Sequence, residues 1–165
     1  MAGDDDAAPG DGRDETESER LDRNWAEILQ ELRVVQTGTQ ILTGFLLAIA
    51  FQQRFEQLDG YQRIVYLVLV CVAVLATLLA LTPVSMHRAL FRRHAKRRLV
   101  AIGNRILITT LATVLVTLAG TILLIFDMVA GNTAGLVAGA VVLVLGGLAW
   151  FTLPGIGRIR ARSAG

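Results

Sequence analysis

Four stretches of this chain read apolar on nearly every side of a helix. Residues 64–82, 106–126 and 133–153 carry no charged side chain, and each approaches the roughly 20 apolar residues that a bilayer-crossing helix needs. A helix that serves a soluble core shows one apolar stripe and a polar back, so segments apolar all round have lipid or other membrane helices as their solvent. The earliest stretch, 34–51, is less uniform. At about 18 residues and roughly 27 Å it crosses most of a hydrocarbon layer, yet it contains Gln36, Thr37, Thr39, Gln40 and Thr43. At about 100° per residue Gln36, Gln40, Thr43 and Thr39 share one arc, with Gly44 at its edge, which predicts a polar side turned to protein or water. The pattern as a whole predicts an all-α membrane protein: four transmembrane helices in an up-down bundle, spanning 24–157.

The segments between these stretches give the connections. Residues 1–23 are predicted to form a disordered acidic cytoplasmic tail, because Met1 to about Glu19 has no aliphatic residue larger than Ala after Met1 and cannot offset its ordering entropy. No cleavable signal peptide is expected, since Met1 to Arg13 lacks a basic start and an apolar core, so the first span serves as insertion signal. Asn24 followed by Glu27 resembles a capping box, and Trp25, Ile28, Leu32 and Val35 recur at helical spacing. A helix is expected to start there and run into the membrane, with Trp25 near the inner headgroups. Asp59-Gly60 marks a turn in the connection 52–63, Pro83 the end of the second helix or a kink, and Gly103-Asn104 a candidate break. The third helix is expected to end at Asp127, and the shortness of the turn at Gly131 and Asn132 folds the third and fourth helices into an antiparallel hairpin.

Charge orients this arrangement. Arg88, Arg92, Arg93, Lys96, Arg97, Arg98 and Arg105 lie in the connection 83–105 with no acidic residue among them. Of the 16 Lys and Arg, only Arg54 and Arg63 fall in the first connection, while the rest precede the first span, fill 83–105 or follow the fourth span in the basic tail 158–165. Both termini are therefore expected in the cytoplasm, in a multi-pass protein of the cytoplasmic membrane. Arg92, Arg93, Lys96, Arg97 and Arg98 are also placed to meet anionic lipid headgroups, at about 1 kcal/mol each. Nucleic acid is not an expected partner, because these cations adjoin the membrane and have no aromatic platform beside them. Composition adds only emphasis: 53% hydrophobic residues and a mean hydropathy of +0.54 exceed an ordinary soluble domain, and the net charge of +2 averages an acidic start with basic later segments.

Residues with chemical potential are few. Thr109, Thr113, Thr117 and Thr121 recur at spacing four on the third helix, with Gly120 beside them. Threonine bonds its own helix's carbonyls, so such a stripe serves packing; its functional reading pairs Thr113 and Thr117 with Gln36, Gln40 and Thr43 across a small polar core. On the fourth helix Gly131, Gly135, Gly139 and Gly146 share a narrow arc, suited to close backbone approach within the bundle or along a homo-oligomer seam. Cys71, the one cysteine, lies mid-span and reads as a small buried hydrophobe, and His87 and His94 lack the Cys or carboxylate that a metal site needs. No catalytic constellation, no metal site and no cofactor site can be assembled, so an enzyme is not expected.

The run Asn24-Trp25 through Gln30-Glu31-Leu32-Arg33-Val34, Gln36-Thr37-Gly38 and Gln40-Ile41-Leu42-Thr43-Gly44-Phe45 resembles the opening of a family of small actinobacterial membrane proteins of unknown function. The similarity continues through Pro83, His87-Arg88, Phe91-Arg92-Arg93-His94 and Leu124-Ile125-Phe126-Asp127, and covers about 24–153. It implies a four-span protein, and members of that family often carry the label sodium:proton antiporter by automatic transfer. Proton-coupled exchange needs an ionisable group at mid-depth. Here that region of the first helix offers Gln36 and Gln40, which do not titrate, and Glu31, Glu56, Asp59 and Asp127 fall at the rims. The expected role is a non-enzymatic scaffold or accessory protein acting through helix packing; the alternative is a small cation/proton exchanger acting as an oligomer.

Overall fold

The computed structural model describes residues 15–90 and 96–152. Helix α1 (Glu17–Ile49) is followed by a 3₁₀ turn (Gln53–Gln57), α2 (Gly60–Leu90), α3 (Lys96–Ala130) and α4 (Asn132–Gly147), which ends in a π-helical turn (Leu148–Thr152). There is no strand among the described residues, and four helices are long and apolar enough to cross a membrane. The all-α, four-span architecture expected from hydropathy is therefore the one observed. The acidic segment 1–14 and the basic tail 158–165 lie outside the described residues.

Several boundaries differ from expectation, each for a local reason. α1 begins at Glu17, not at Asn24, because Thr16 and Glu19 close a reciprocal cap. The Thr16 N–H and hydroxyl donate to Glu19 Oε2 at 2.9 and 2.8 Å, and the Glu19 N–H donates to Thr16 Oγ1 at 3.3 Å. Glu27, the expected partner of Asn24, instead accepts from Arg23 at 3.2 Å, while the same guanidinium meets Glu15 at 2.6 Å. Residues 17–23 are thus helical rather than part of a disordered tail. Pro83 does not end α2, which continues to Leu90. Around the proline, Thr82 and Ser85 donate their hydroxyls to the carbonyls of Leu78 (2.9 Å) and Thr82 (2.8 Å), the local polar adjustment by which membrane helices tolerate proline. Gly103-Asn104 is no break either. Gly103 is buried inside α3, and a Cβ there would stand 2.6 Å from the Trp25 ring, so the glycine is a packing residue and Trp25 a core residue.

Apart from Leu115 and Ala119, which meet glycines of α4, the buried positions of the first three helices share one spacing, in steps of three or four residues or their sum of seven: Trp25, Ile28, Leu32, Thr39 and Leu46 on α1; Tyr66, Leu69, Ala73, Ala76, Ala80 and Pro83 on α2; Gly103, Leu107, Thr110, Thr117, Leu124 and Asp127 on α3. This is the seam of knobs-into-holes packing, narrower than the apolar surface of each helix. It explains why so many large apolar side chains, such as Leu78, Ile64, Val129 and Leu145, remain exposed: their medium is lipid.

The contacts group the chain into two compact units, one made of the part to Gln40 with Ala76–Leu111, the other of Ile41–Leu75 with the part from Ala112 onward. In the first, Ile28 and Leu32 of α1 pack with Ala80 of α2 and Leu107 of α3. In the second, Tyr66 and Leu69 of α2 pack with Leu124 of α3, and the Phe55 ring meets Tyr66 edge-on at 5.0 Å between centroids. The second unit also holds the α3–α4 hairpin. There Gly135, Gly139 and Gly146 lie against Asp127, Leu123, Ala119 and Leu115, an antiparallel register in which backbone nearly touches backbone.

Two predictions follow from this geometry. A Cβ at Gly135 would sit 2.7 Å from the Leu123 carbonyl oxygen and 2.9 Å from Asp127 Cβ, whereas one at Gly147 meets nothing within 4 Å. Gly135→Ala should therefore destabilise the fold by about 1–3 kcal/mol in a denaturation titration in mixed micelles, and Gly147→Ala should be near neutral. The Glu19 carboxyl is held below its ordinary value of about 4.3, chiefly by the Thr16 N–H and then by the Thr16 hydroxyl. A carboxylate with a depressed folded pKa stabilises above its unfolded value and loses that contribution as pH falls through the folded one. Amide exchange across the first turn of α1, taken relative to the unfolded-chain rate, should accelerate as the pH falls below the ordinary glutamate range; Thr16→Ala, which keeps the N–H and loses the hydroxyl, should weaken this acid dependence, and Glu19→Gln should remove it.

Candidate functional site: polar groups within the spans

Polar side chains buried in the spans are the natural place to look for an ion or substrate site. Their hydroxyls are directed elsewhere. Thr39 donates to the Gln36 carbonyl at 2.9 Å, Thr110 to Ile106 at 2.8 Å, Thr117 to Thr113 at 2.8 Å and Thr121 to Thr117 at 2.7 Å. Each bond closes within its own helix, which hides the hydroxyl without making a ligand. Among the described residues no buried side-chain nitrogen or oxygen is left without a partner, and no three His, Cys, Asp or Glu are grouped as metal ligands.

The more elaborate polar arrangement lies at one end of the helices, in the second unit. The last four carbonyls of a helix have no partner within it, and lipid supplies none. At the end of α1 those of Leu47, Ala48 and Ile49 accept the N–H groups of Ala50, Phe51 and Gln52 at 3.3, 3.2 and 3.0 Å. The fourth, Leu46, accepts the buried Tyr66 hydroxyl of α2 at 2.6 Å. Gln62 performs a similar task for α2. Its N–H donates to Asp59 Oδ1 (2.8 Å), its Oε1 accepts the Asp59 N–H (3.2 Å), and its Nε2 donates to Asp127 Oδ2 of α3 at 2.9 Å. Asp127 is itself buried. The Gly131 N–H donates to its carbonyl at 3.0 Å, and Gly131 turns the chain into α4 with φ of 91°, a conformation open to glycine.

Several residues expected to be functional occupy different settings. Gln36 and Thr43 are half-buried, but Gln40 is exposed, so it lies outside the polar core anticipated for it. The buried seam passes through Thr39, and one further residue carries Gln40 around to the outside. Thr117 is buried and Thr113 half-buried, with Thr117 bonded to the Thr113 carbonyl. Thr109, at the head of the expected stripe, is exposed, while Thr110 is completely buried: the seam advances by seven every two steps and leaves a spacing-four stripe behind. Gly135, Gly139 and Gly146 pack on α3, whereas Gly131 is exposed and serves the turn. Cys71 is exposed on the surface of α2, within the span, where its surroundings are those of the other outward side chains. Arg92, Arg93 and His94 lie outside the described residues; Lys96, Arg97 and Arg98 form the first turn of α3, with their side chains likewise outside.

Sequence reasoning missed Tyr66, Gln62 and Asp127 as a set. The signal for one part was present, since Asp59-Gly60-Tyr61-Gln62 has the form of a capping box with Asp and Gln in its two roles. Nothing in the sequence joins Gln62 to Asp127 across 65 residues.

The helices thus define a four-span integral membrane protein. A family model, described as a family of unknown function (DUF6328), matches residues 14–154, and the chain belongs to that family. No match is found among curated proteins or among solved structures.

The α2–α3 link gives a direct prediction. Asp127→Asn retains an acceptor for Gln62 and should be nearly neutral, whereas Asp127→Leu leaves the amide without its acceptor and should cost about 1 kcal/mol, read by denaturation in mixed micelles.

Proposed function

We propose that the protein is a non-enzymatic scaffold or accessory module of the cytoplasmic membrane, acting through its helix surfaces. The observation that supports this reading is the closure of its internal polar groups: threonine hydroxyls answer carbonyls of their own helices, and Tyr66 and Gln62 answer helix ends. An ion path needs polar atoms that are free to coordinate, arranged in succession across the membrane. The spans also carry no Asp, Glu, Lys, Arg or His between residues 34 and 51, 64 and 82, or 106 and 126. Asp127 lies one turn from the end of α3 and is engaged by Gln62.

The basic connection 83–105 supports an orientation with both termini in the cytoplasm and contact with anionic headgroups there. Between α3 and α4 an open groove lined by Ile122, Phe126, Ala130, Ala134, Val137 and Val141, with Thr133 as its one polar side chain, offers predominantly carbon surface suited to hydrocarbon. Reconstituted into liposomes with an imposed pH gradient, the protein should dissipate that gradient no faster on sodium addition than protein-free liposomes do. Sodium-dependent dissipation that scales with the amount of protein would overturn the scaffold reading in favour of the exchanger.

A further inference from the structure

Among the described residues nothing covers one face of α1. Gln30, Arg33, Thr37, Gln40, Gly44 and Leu47 follow the alternating three-and-four spacing of a packing seam, and every one is exposed. A Cβ added at Gly44 meets nothing within 4 Å. Thr37 answers its own demand by donating to the Arg33 carbonyl at 3.1 Å. Gln40 is different. It lies about 14 Å along the helix from the end at Ile49, near the middle of the stretch 34–51, with its amide facing outward where hydrocarbon offers neither donor nor acceptor.

We propose that this face seats the same face of a second copy of the chain, the two α1 helices parallel about a two-fold axis along the membrane normal and the Gln40 amides paired across it. The occupant follows from the chemistry of the demand. A primary amide is donor and acceptor together, so under two-fold symmetry each Nε2 donates to the other copy's Oε1 and one residue type satisfies itself. Copies that insert with the same topology hold Gln40 at one depth, which makes the pairing geometrically available without any shift. Thr37 and Gly44 flank Gln40 on the same face and keep the backbones free to approach, while Leu47 supplies an apolar knob toward the helix end. A partner of unrelated sequence would need a matching amide or hydroxyl at the same depth. A second copy has one by construction.

The inference rests on the packing-module reading, and the two fail separately: ion flux overturns that reading, and the association measurements below test this one. Cysteine pairs report the face directly. In a Cys71→Ser background, Gly44→Cys and Gly147→Cys place thiols at two positions where a Cβ meets nothing, the first on the proposed face and the second on α4. Copper-phenanthroline oxidation of native membranes should crosslink the Gly44→Cys chain to a covalent dimer and leave the Gly147→Cys chain monomeric. In liposomes, dilution of donor- and acceptor-labelled protein should show Gln40→Leu associating about tenfold more weakly and Gln40→Asn associating like the parent. Equal crosslinking at the two positions, or a Gln40→Leu chain that associates as tightly as the parent, would overturn the proposal.

Discussion

A polar backbone group in hydrocarbon must find its partner inside the protein, and this requirement organises the chain. It selects helices over any other element. It then concentrates the difficulty at helix ends, where carbonyls run out of N–H groups. At the end of α1 the solution combines three tightened backbone turns with one side chain brought from α2, the Tyr66 hydroxyl. The same tyrosine stands in the seam of α2 and against Phe55, so one residue closes a hydrogen bond and fixes a contact. Gln62 does likewise for α2 and α3, through an amide with both of its polar atoms engaged.

Once polar groups are closed, what holds helices together in lipid is fit, because the tails are as apolar as the side chains they replace. Two solutions coexist. On α2 the seam narrows to Ala73, Ala76 and Ala80, which lets the other helices approach through side-chain interlocking. Between α3 and α4 the approach is closer still, with Gly135 facing the Leu123 carbonyl and Gly139 facing Ala119, and backbone contact replaces interlocking. Interhelical hydrogen bonds in membranes contribute only about 0.6 kcal/mol on average, so the Gln62–Asp127 bond sets register while the summed contacts of the seams supply most of the association.

Much of this was legible in the sequence, and what was not has a common cause. Uncharged runs of bilayer length announce spans irrespective of what each residue touches, so 64–82, 106–126 and 133–153 emerged with α2, α3 and α4 close to their observed places. The turn at Gly131 was readable from its residue type. Facing was not readable for Gln40, because a polar residue in a span was assumed to turn inward, whereas the seam on α1 is fixed by Trp25, Ile28, Leu32, Thr39 and Leu46 together. Gly103 shows the same ambiguity in reverse. As a sequence signal it suggests a break, but in place it is the gap that receives the Trp25 ring. The start of α1 went unread because Thr16 and Glu19 sit in an acidic, apolar-poor stretch, where composition suggests disorder and only the spacing of the two residues speaks for a helix.

The distribution of polarity inside and outside the fold bears on what such a protein can do. Inner threonines and the helix-end network have their partners, and the outward surfaces of α2, α3 and α4 are predominantly aliphatic. α1 is the least apolar of the four spans, and part of its polarity is directed outward. A helix whose only task was to cross lipid would gain by replacing Gln40 and Gly44 with leucine, since Gln40 is exposed and a Cβ at Gly44 meets nothing within 4 Å among the described residues. Their positions make sense when α1 is regarded as unfinished in one copy. The unsatisfied amide is a weak but directional demand, and the absence of side chain at Gly44 leaves room for whatever answers it. Under the pairing of two copies proposed above, specificity would reside on the surface of α1.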